Sequence, residues 1–288
     1  MKGGRVVHIR PATTADAADC ARICFEAFAA IADRHGFPRD FDDTSEAAGL
    51  ISSLIEDPRF FGVVAVGDGE IVGSNFLDER STVASVGPVT VAPDIQNEGI
   101  GRRLMMAVLD RAREQHISAI RLVQSAYHTR SLGLYAKMGF DARDSFAVVQ
   151  GSPPRYAGPV TVRPADESDL PACDTLCRRV HGIDRHDHVS DGVAARSARV
   201  AQRGGRITGY TTGVGLFGHS VAETTADLQA LIADAEHYGG TGFLVPMRNT
   251  GLLRWCLHGG LRVVSTMNLM TMGEFHEPDG AYLASVGY

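Results

Sequence analysis

The sequence has no apolar run that reaches the ~20 residues a bilayer-spanning helix needs, which excludes a helical membrane protein. It also lacks a basic face. Lys and Arg number 28 against 34 Asp and Glu, a formal charge of −6, and no cluster of positive side chains offers what duplex binding requires. Nucleic acid and membrane are therefore not expected as partners, and small-molecule chemistry is. Cysteine is scarce: Cys20, Cys24, Cys173, Cys177 and Cys256. An odd count without a secretory leader argues against a disulfide framework. Within each close pair the spacing of four puts both thiols on one helix face, either as a metal or redox pair or, as expected here, as small buried hydrophobes. Met1-Lys2-Gly3-Gly4-Arg5 leads straight into a strand-like run rather than a signal-peptide core, so a cytoplasmic location is expected.

What the chain does contain is a duplication. Ile9-Arg10-Pro11-Ala12 recurs as Val162-Arg163-Pro164-Ala165, an offset of 153 positions, and Cys20 and Cys24 map onto Cys173 and Cys177 at the same offset. Each copy then runs through a polar capping stretch into a helical pattern. Between the copies, Gly151-Ser152-Pro153-Pro154-Arg155-Tyr156-Ala157-Gly158-Pro159 suits neither a helix nor a central strand. The expected organisation is a domain over 1–150, a linker over 151–159 and a second domain over 160–288.

In the first half, periodicity predicts a strand over Val6–Arg10, then helices from Asp16 to about Arg34 and over Ser45–Glu56. A hairpin follows over Phe61–Val66 and Glu70–Leu77, then a strand over Val83–Val91 and a helix from Gly99 to about Gln115. A strand over Ile120–Gln124 and a short helix over His128–Met138 precede Phe146–Val149, a strand expected to close the sheet. Strand Val86–Val91 enters Ala92-Pro93-Asp94-Ile95 and then Gln96-Asn97-Glu98-Gly99-Ile100-Gly101-Arg102-Arg103, where the helix starts. Such a start presents unbonded N–H groups and the positive end of the helix dipole, a cradle for an anion. Gly99 and Gly101 allow close backbone approach, and Arg102 and Arg103 can add charge-assisted contacts. The loop lacks the Lys-Ser/Thr of a P-loop and the complete Gly-x-Gly-x-x-Gly of dinucleotide folds.

The Gln-x-x-Gly-x-Gly loop after a Val-x-Val-x-Pro strand, followed by Leu134-Tyr135-Ala136-Lys137-Met138-Gly139-Phe140, resembles the GNAT (GCN5-related N-acetyltransferase) superfamily over most of residues 5–150. The resemblance implies an α/β fold with a mixed, mostly antiparallel twisted sheet flanked by helices, and acetyl-CoA or another short acyl-CoA as co-substrate. It implies that Val89, Thr90 and Val91 pair with the pantetheine arm through backbone groups. The amides of Gln96, Asn97, Glu98, Gly99, Ile100 and Gly101, with Arg102, would hold the pyrophosphate, and His128 and Ser131 would flank the cofactor. Tyr135 matches the tyrosine that protonates the departing thiolate, with aromatic packing beneath the sheet as the alternative. His128 stands where the family often has Asn. A contact to pantetheine, a proton-transfer role and a plain helix cap all stay open for it. The carboxylate some relatives carry before the loop is missing from Ala84-Ser85-Val86, which leaves Asp78 and Glu79 as candidate bases.

In the second half the signature loop is gone. Asn249 takes the place of His128 and Cys256 that of Tyr135, so a degenerate GNAT-like domain is expected, completing the acceptor pocket and covering sheet edges. His181-Gly182-Ile183-Asp184-Arg185-His186-Asp187-His188 is rich in ligand types, and His186 and His188 with Asp184 or Asp191 invite a zinc reading. The spacing matches no standard closed site, so a solvated or substrate-facing loop and no metal are expected. The resulting expectation is acyl transfer from CoA to a primary amine on a small molecule or peptide, by a monomer or homodimer. A non-catalytic acyl-CoA sensor is the alternative, and one cofactor per chain is expected in either case.

Overall fold

The computed structural model describes residues 6–287; Met1–Arg5, read above as leading straight into a strand, lie outside the described residues, as does the last residue. The chain forms two compact units. One holds the described residues up to Glu79 together with Val83–Ile120; the other holds Arg80–Thr82 and the described residues from Arg121 on.

In the first unit, β1 (Val7–Pro11) leads to α1 (Ala17–His35) and α2 (Thr44–Glu56). α1 stops at Gly36, whose φ of 70° is a left-handed helix end. α2 starts where the Asp43 carboxylate accepts from the amides of Ser45 and Glu46. Then come β2 (Phe60–Gly67), β3 (Glu70–Asp78), β4 (Val83–Val86), β5 (Thr90–Val91) and α3 (Ile100–Glu114). The sheet is antiparallel in the order β1-β2-β3-β4, with β5 also on β3. Cys20 and Cys24 of α1 pack with Ile51 and Leu54 of α2 against Val64, Val66 and Phe76. Burial pushes the Cys24 thiol up to about 12, the behaviour of a core hydrophobe rather than a redox group.

The second unit takes β6 (Ala119–Ser125) from Arg121 onward, then α4 (Thr129–Lys137), β7 (Asp141–Gln150) and β8 (Thr161–Pro164). α5 (Leu170–His181), α6 (His186–Ala194), β9 (Arg199–Arg203), β10 (Arg206–Thr211), β11 (Ser220–Ala222) and α7 (Thr225–Asp234) follow. β12 (Phe243–Pro246), α8 (Thr250–His258), β13 (Arg262–Gly273) and β14 (Ala281–Leu283) complete it. One sheet runs β6-β13-β7-β12 and the other β14-β11-β10-β9-β8.

β7 does not close a sheet, as Phe146–Val149 was expected to do. It runs inside one, with β13 along one edge from Gln150↔Arg262 to Asp141↔Thr271 and β12 along the other. The reason is the uniform burial of Phe146, Ala147, Val148 and Val149: a strand apolar on both faces belongs in a sheet interior. The strand that ends the first repeat thus pairs with two strands of the second. The linker at 151–159 lies within one compact unit, and the units divide at Glu79 and Ile120 instead. The repeat itself is exact in detail where it starts. Arg10 grips Asp16 with two bonds of 2.7 Å, and 153 positions later Arg163 grips Asp169 with two bonds of 2.7 Å. Among the described residues no helix is long and apolar enough to cross a membrane.

Candidate functional site

The strand before the glycine loop is broken in a specific way. Leu77 pairs with Val86, but Ser74 pairs with Thr90, so Gly87-Pro88-Val89 stand opposite only two residues of β3. This is a bulge of one residue. The Gly87 N–H donates to Phe76 O at 2.9 Å, and Pro88 has no N–H to give. Past the bulge, the Ala92 N–H donates to Val72 O at 3.0 Å, which fixes the ladder's parity. Thr90 therefore faces its backbone toward Ser74, while Val91 turns its N–H and C=O to the opposite edge. Thr90 is doubly held, since its hydroxyl lies 3.0 Å from that of Ser74. Of the three residues expected at pantetheine, Val91 has its backbone on the outward edge, Thr90 turns toward Ser74, and Val89 is a half-buried residue of the bulge. Gly73 makes the close approach feasible, because a Cβ there would sit 2.6 Å from the Thr90 carbonyl oxygen.

Beyond β5, Pro93–Ile95 form one turn and the Gln96 side chain folds back to donate to Val91 O at 3.1 Å. Asn97 has a φ of 74° and Gly99 a φ of 82°, both left-handed, so the chain reverses before α3 begins. Ile100 anchors the turn in the core, and Asn97, Glu98 and Gly99 stay exposed. No side chain caps α3 and no acidic residue sits in its first turn. Its leading amides and positive dipole end are therefore uncompensated. Arg102 and Arg103 are exposed beside them; the exposed carboxylate of Glu98 opposes an anion, so that residue can contribute only its N–H.

In the second unit, α4 is tied down at its start. The Gln124 side-chain amide donates to His128 O at 2.9 Å and to Ser131 Oγ at 3.0 Å, and its oxygen accepts from Asn268 of β13 at 3.2 Å. The Ser131 hydroxyl is taken by His128 O at 2.9 Å, a local helix-start contact rather than one reaching outward. His128 is the N-cap residue, half-buried, with no capping bond from its ring. Tyr135 is buried at 8% exposure, edge-on to Phe140 with ring centres 6.2 Å apart. Its hydroxyl bonds to no described residue. Burial pushes this phenol up to about 12, so it holds its proton at neutral pH and can give it to a stronger base.

The candidate bases differ in their surroundings. Asp78 is buried at the end of β3, opposite Ser85 of β4. Glu79 is committed to Arg111 of α3, with both oxygens held at 2.8 and 3.0 Å. A third carboxylate, Asp40 between α1 and α2, was not among the candidates. Burial pushes it up to about 6, and its Oδ2 is enclosed with no hydrogen-bond partner. Nothing in Phe37-Pro38-Arg39-Asp40 marks it off from a solvated loop residue; only the packing does.

The second repeat is closed at the corresponding places. α7 begins with a capping box, in which the Thr224 amide donates to the Asp227 carboxylate at 3.0 Å. β14 lies between β11 and β12, paired from Ala222↔Ala281 to Ser220↔Leu283 and bridged at Leu244↔Ala284. Asn249 caps α8 through Leu252 N at 3.1 Å. Cys256 is fully buried and pushed up to about 12. The His/Asp segment, expected as a loop, is helical from His186, whose Nδ1 lies 2.8 Å from Asp174. Among the described residues no group of three or more His, Cys, Asp or Glu gathers as a metal site.

Residues 23–140 match the sequence profile of the acetyltransferase (GNAT) family. No match was found among curated proteins. The fold of the whole chain is shared with a protein from Pyrococcus horikoshii provisionally named an acetyltransferase. That likeness has 19% identity over 96% of this chain and 92% of that one, with a TM-score of 0.75. It is also shared with a GCN5-related N-acetyltransferase from Sphaerobacter thermophilus, at 15% identity over 96% and 98% of the two chains, TM-score 0.63. A tandem GNAT protein from the clavulanic acid biosynthesis pathway is similar at 14% identity over 93% and 98%, TM-score 0.56. At these identities the likeness is one of fold.

Proposed function

We propose, on the premise that residues 23–140 are a GNAT acetyltransferase domain within a tandem GNAT fold, that the protein moves an acetyl or other short acyl group from CoA to a primary amine. The observation that carries this reading is the uncapped start of α3, with left-handed Asn97 and Gly99 before it and a bulged strand before those. Its amides and Arg102 suit a pyrophosphate, and the outward edge of Val91 suits an extended amide-bearing arm. The amine nitrogen forms its bond to the acyl carbon as the carbon–sulfur bond breaks. The amine loses a proton to Asp78 or to water, and Tyr135 supplies one to the departing thiolate. Glu79 is the less available of the two carboxylates, since Arg111 engages both its oxygens.

One cofactor per chain follows, because Asp227 and β14 fill in the second repeat what the first leaves open. We place the reaction in the cytoplasm, with a monomer or homodimer as the working form and no metal in the chemistry. The deciding experiment measures CoA release from acetyl-CoA against a panel of amines, comparing the protein with Tyr135→Phe. Turnover on an amine, suppressed in the variant, supports the reading. Tight acetyl-CoA binding without turnover on any amine favours the second reading, an acyl-CoA sensor, for which the committed Glu79 and the missing carboxylate at Ala84-Ser85-Val86 speak.

A further inference from the structure

The second unit contains a cavity of about 680 Å³ that plays no part in the scheme above. Its size is that of a small-molecule site. One wall is the loop from Gly213 to Gly218, pressed against other backbone so closely that Gly215 and Gly218 have no room for a side chain. A Cβ on Gly215 would lie 2.5 Å from the Gly239 carbonyl oxygen, and one on Gly218 would strike that of Gly213. Gly215 and Gly239 form a bridge there, and Leu216 N donates to Gly239 O at 3.0 Å, so the wall is fixed.

The other walls include two helix ends, together with Arg80, Thr211 and Thr212. α6 reaches the cavity through Asp191 and Ala195, and α7 through Leu231 and Asp234. The last carbonyls of α6 are taken by its own closing turn, through the Ala195, Arg196, Ser197 and Ala198 amides, whereas α7 ends beside the cavity with the negative end of its dipole, about half a charge. Most of the ionised lining is internally matched: Arg80 pairs with Asp191 at 3.0 Å, and Arg199 with Asp234 at 2.7 Å. Among the lining arginines and carboxylates, Arg196 and Glu236 remain, and neither has a side-chain partner among the described residues; His188 and His237 line the cavity as well. Arg196 has a φ of 59°, uncommon for a residue with a side chain, and the turn holding it is closed by Ser197 and Ala198 amides on Gly192 O. Phe217 lines the same cavity with 57% of its surface exposed, an apolar platform.

We propose that this cavity binds a small zwitterion of the amino-acid type. Arg196 takes the carboxylate, and Glu236 with the negative end of α7 takes the ammonium group. Phe217 and Leu231 take the apolar part. A polyamine would meet Arg196 as a like charge, and a dicarboxylate would meet Glu236 and the negative end of α7. A single molecule carrying both charges satisfies both Arg196 and Glu236.

Calorimetric titration of the full chain, without any acyl-CoA, with the common L-amino acids tests this. Amino-acid amides, which lack the carboxylate, and N-acetyl amino acids, which lack the ammonium, serve as matched probes. At least one free amino acid is expected to bind, and both derivatives to bind it at least about tenfold more weakly. Arg196→Gln should weaken the free amino acid by a similar factor and leave its amide unchanged; Glu236→Gln should leave the N-acetyl derivative unchanged. Both residues are exposed, so folding is preserved, and Ala195→Trp at the exposed lip should block binding by bulk. No heat from any amino acid at millimolar concentration overturns the proposal, as does binding indifferent to all three substitutions. Because acyl-CoA is absent from the titration, its failure leaves the acyl-transfer reading standing, and loss of acyl transfer leaves this one.

Discussion

One carboxylate oxygen of Asp227 accepts both the backbone N–H of Thr224, at 3.0 Å, and its hydroxyl, at 2.7 Å. α7 thereby carries its own anion at its start. α3 carries none: Gly99 caps it without a side chain. Two helices at corresponding points of the repeats differ in the one respect that matters for binding a phosphate.

Titration with CoA should therefore give one site per chain. Gly99→Val should weaken that site by tenfold or more, since a β-branched residue at φ 82° costs about 1–2 kcal/mol and distorts the leading amides. Nothing lies within 4 Å of a Cβ at Gly99, so the loss is one of backbone conformation rather than of space. Two equivalent CoA sites would show that the capped α7 is no barrier.

Tyr135→Phe should lower kcat for acyl transfer by about a hundredfold or more while leaving CoA affinity near its original value. The hydroxyl bonds to no described residue, so the variant should melt within about 1 °C of the parent. An unchanged kcat would assign the proton to another donor and leave Tyr135 as core packing.

Asp40 gives stability an unusual pH dependence. In the folded chain its carboxyl keeps a proton up to about pH 6, whereas an unfolded one releases it near 3.9. The folded state binds the extra proton between those values, so stability falls as pH rises from about 4 to 6 and is level above. Asp40→Asn should remove that slope and raise stability at pH 7 by about 1–3 kcal/mol. Denaturant melts of both proteins at pH 4, 5, 6 and 7 decide it; a less stable Asn variant at pH 7 would mean that the carboxylate is held by a favourable contact.

Asp16 acts in the opposite sense. Arg10 and the Thr13 amide and hydroxyl hold its carboxyl down at about 2. Its contribution is complete above the unfolded value near 3.9 and is lost as pH falls toward 2. Asp16→Asn should cost about 1–2 kcal/mol at pH 7, discounted because the Arg10 side chain is 38% exposed. Asp169→Asn should behave alike through Arg163, which lowers that carboxyl in the same way. Equal acid melts for parent and variants would remove these pairs from the stability account.

The five thiols are buried, and burial raises each of them, to about 11 for Cys20 and about 12 for Cys173. Native protein should therefore react with a thiol-specific reagent only as fast as it unfolds. Rapid modification of any one cysteine would mark a local opening at that helix.

By itself the sequence determined what depends on neighbours along the chain. The offset of 153 located both capped helix starts, because a capping box needs only residues a turn apart. The glycine loop was legible because helix starts and left-handed turns are local. Asn97 and Gly99 hold the positive φ there. The single strand expected over Val83–Val91 became β4 and β5, since a bulge is an error of register against a partner strand and has no signature in one strand alone.

Only the tertiary structure decided which strand pairs with which. Phe146–Val149 reads as a buried strand, but its neighbours β13 and β12 lie about a hundred residues away in the chain, and no local periodicity names a partner. Burial behaves the same way. Glu79 read as a candidate base until Arg111, from a helix 32 residues on, took both its oxygens, and nothing along the chain singled out Asp40, whose Oδ2 only the packing encloses. The charge on a carboxyl depends on what surrounds it in space, and that is settled by packing rather than by order along the chain.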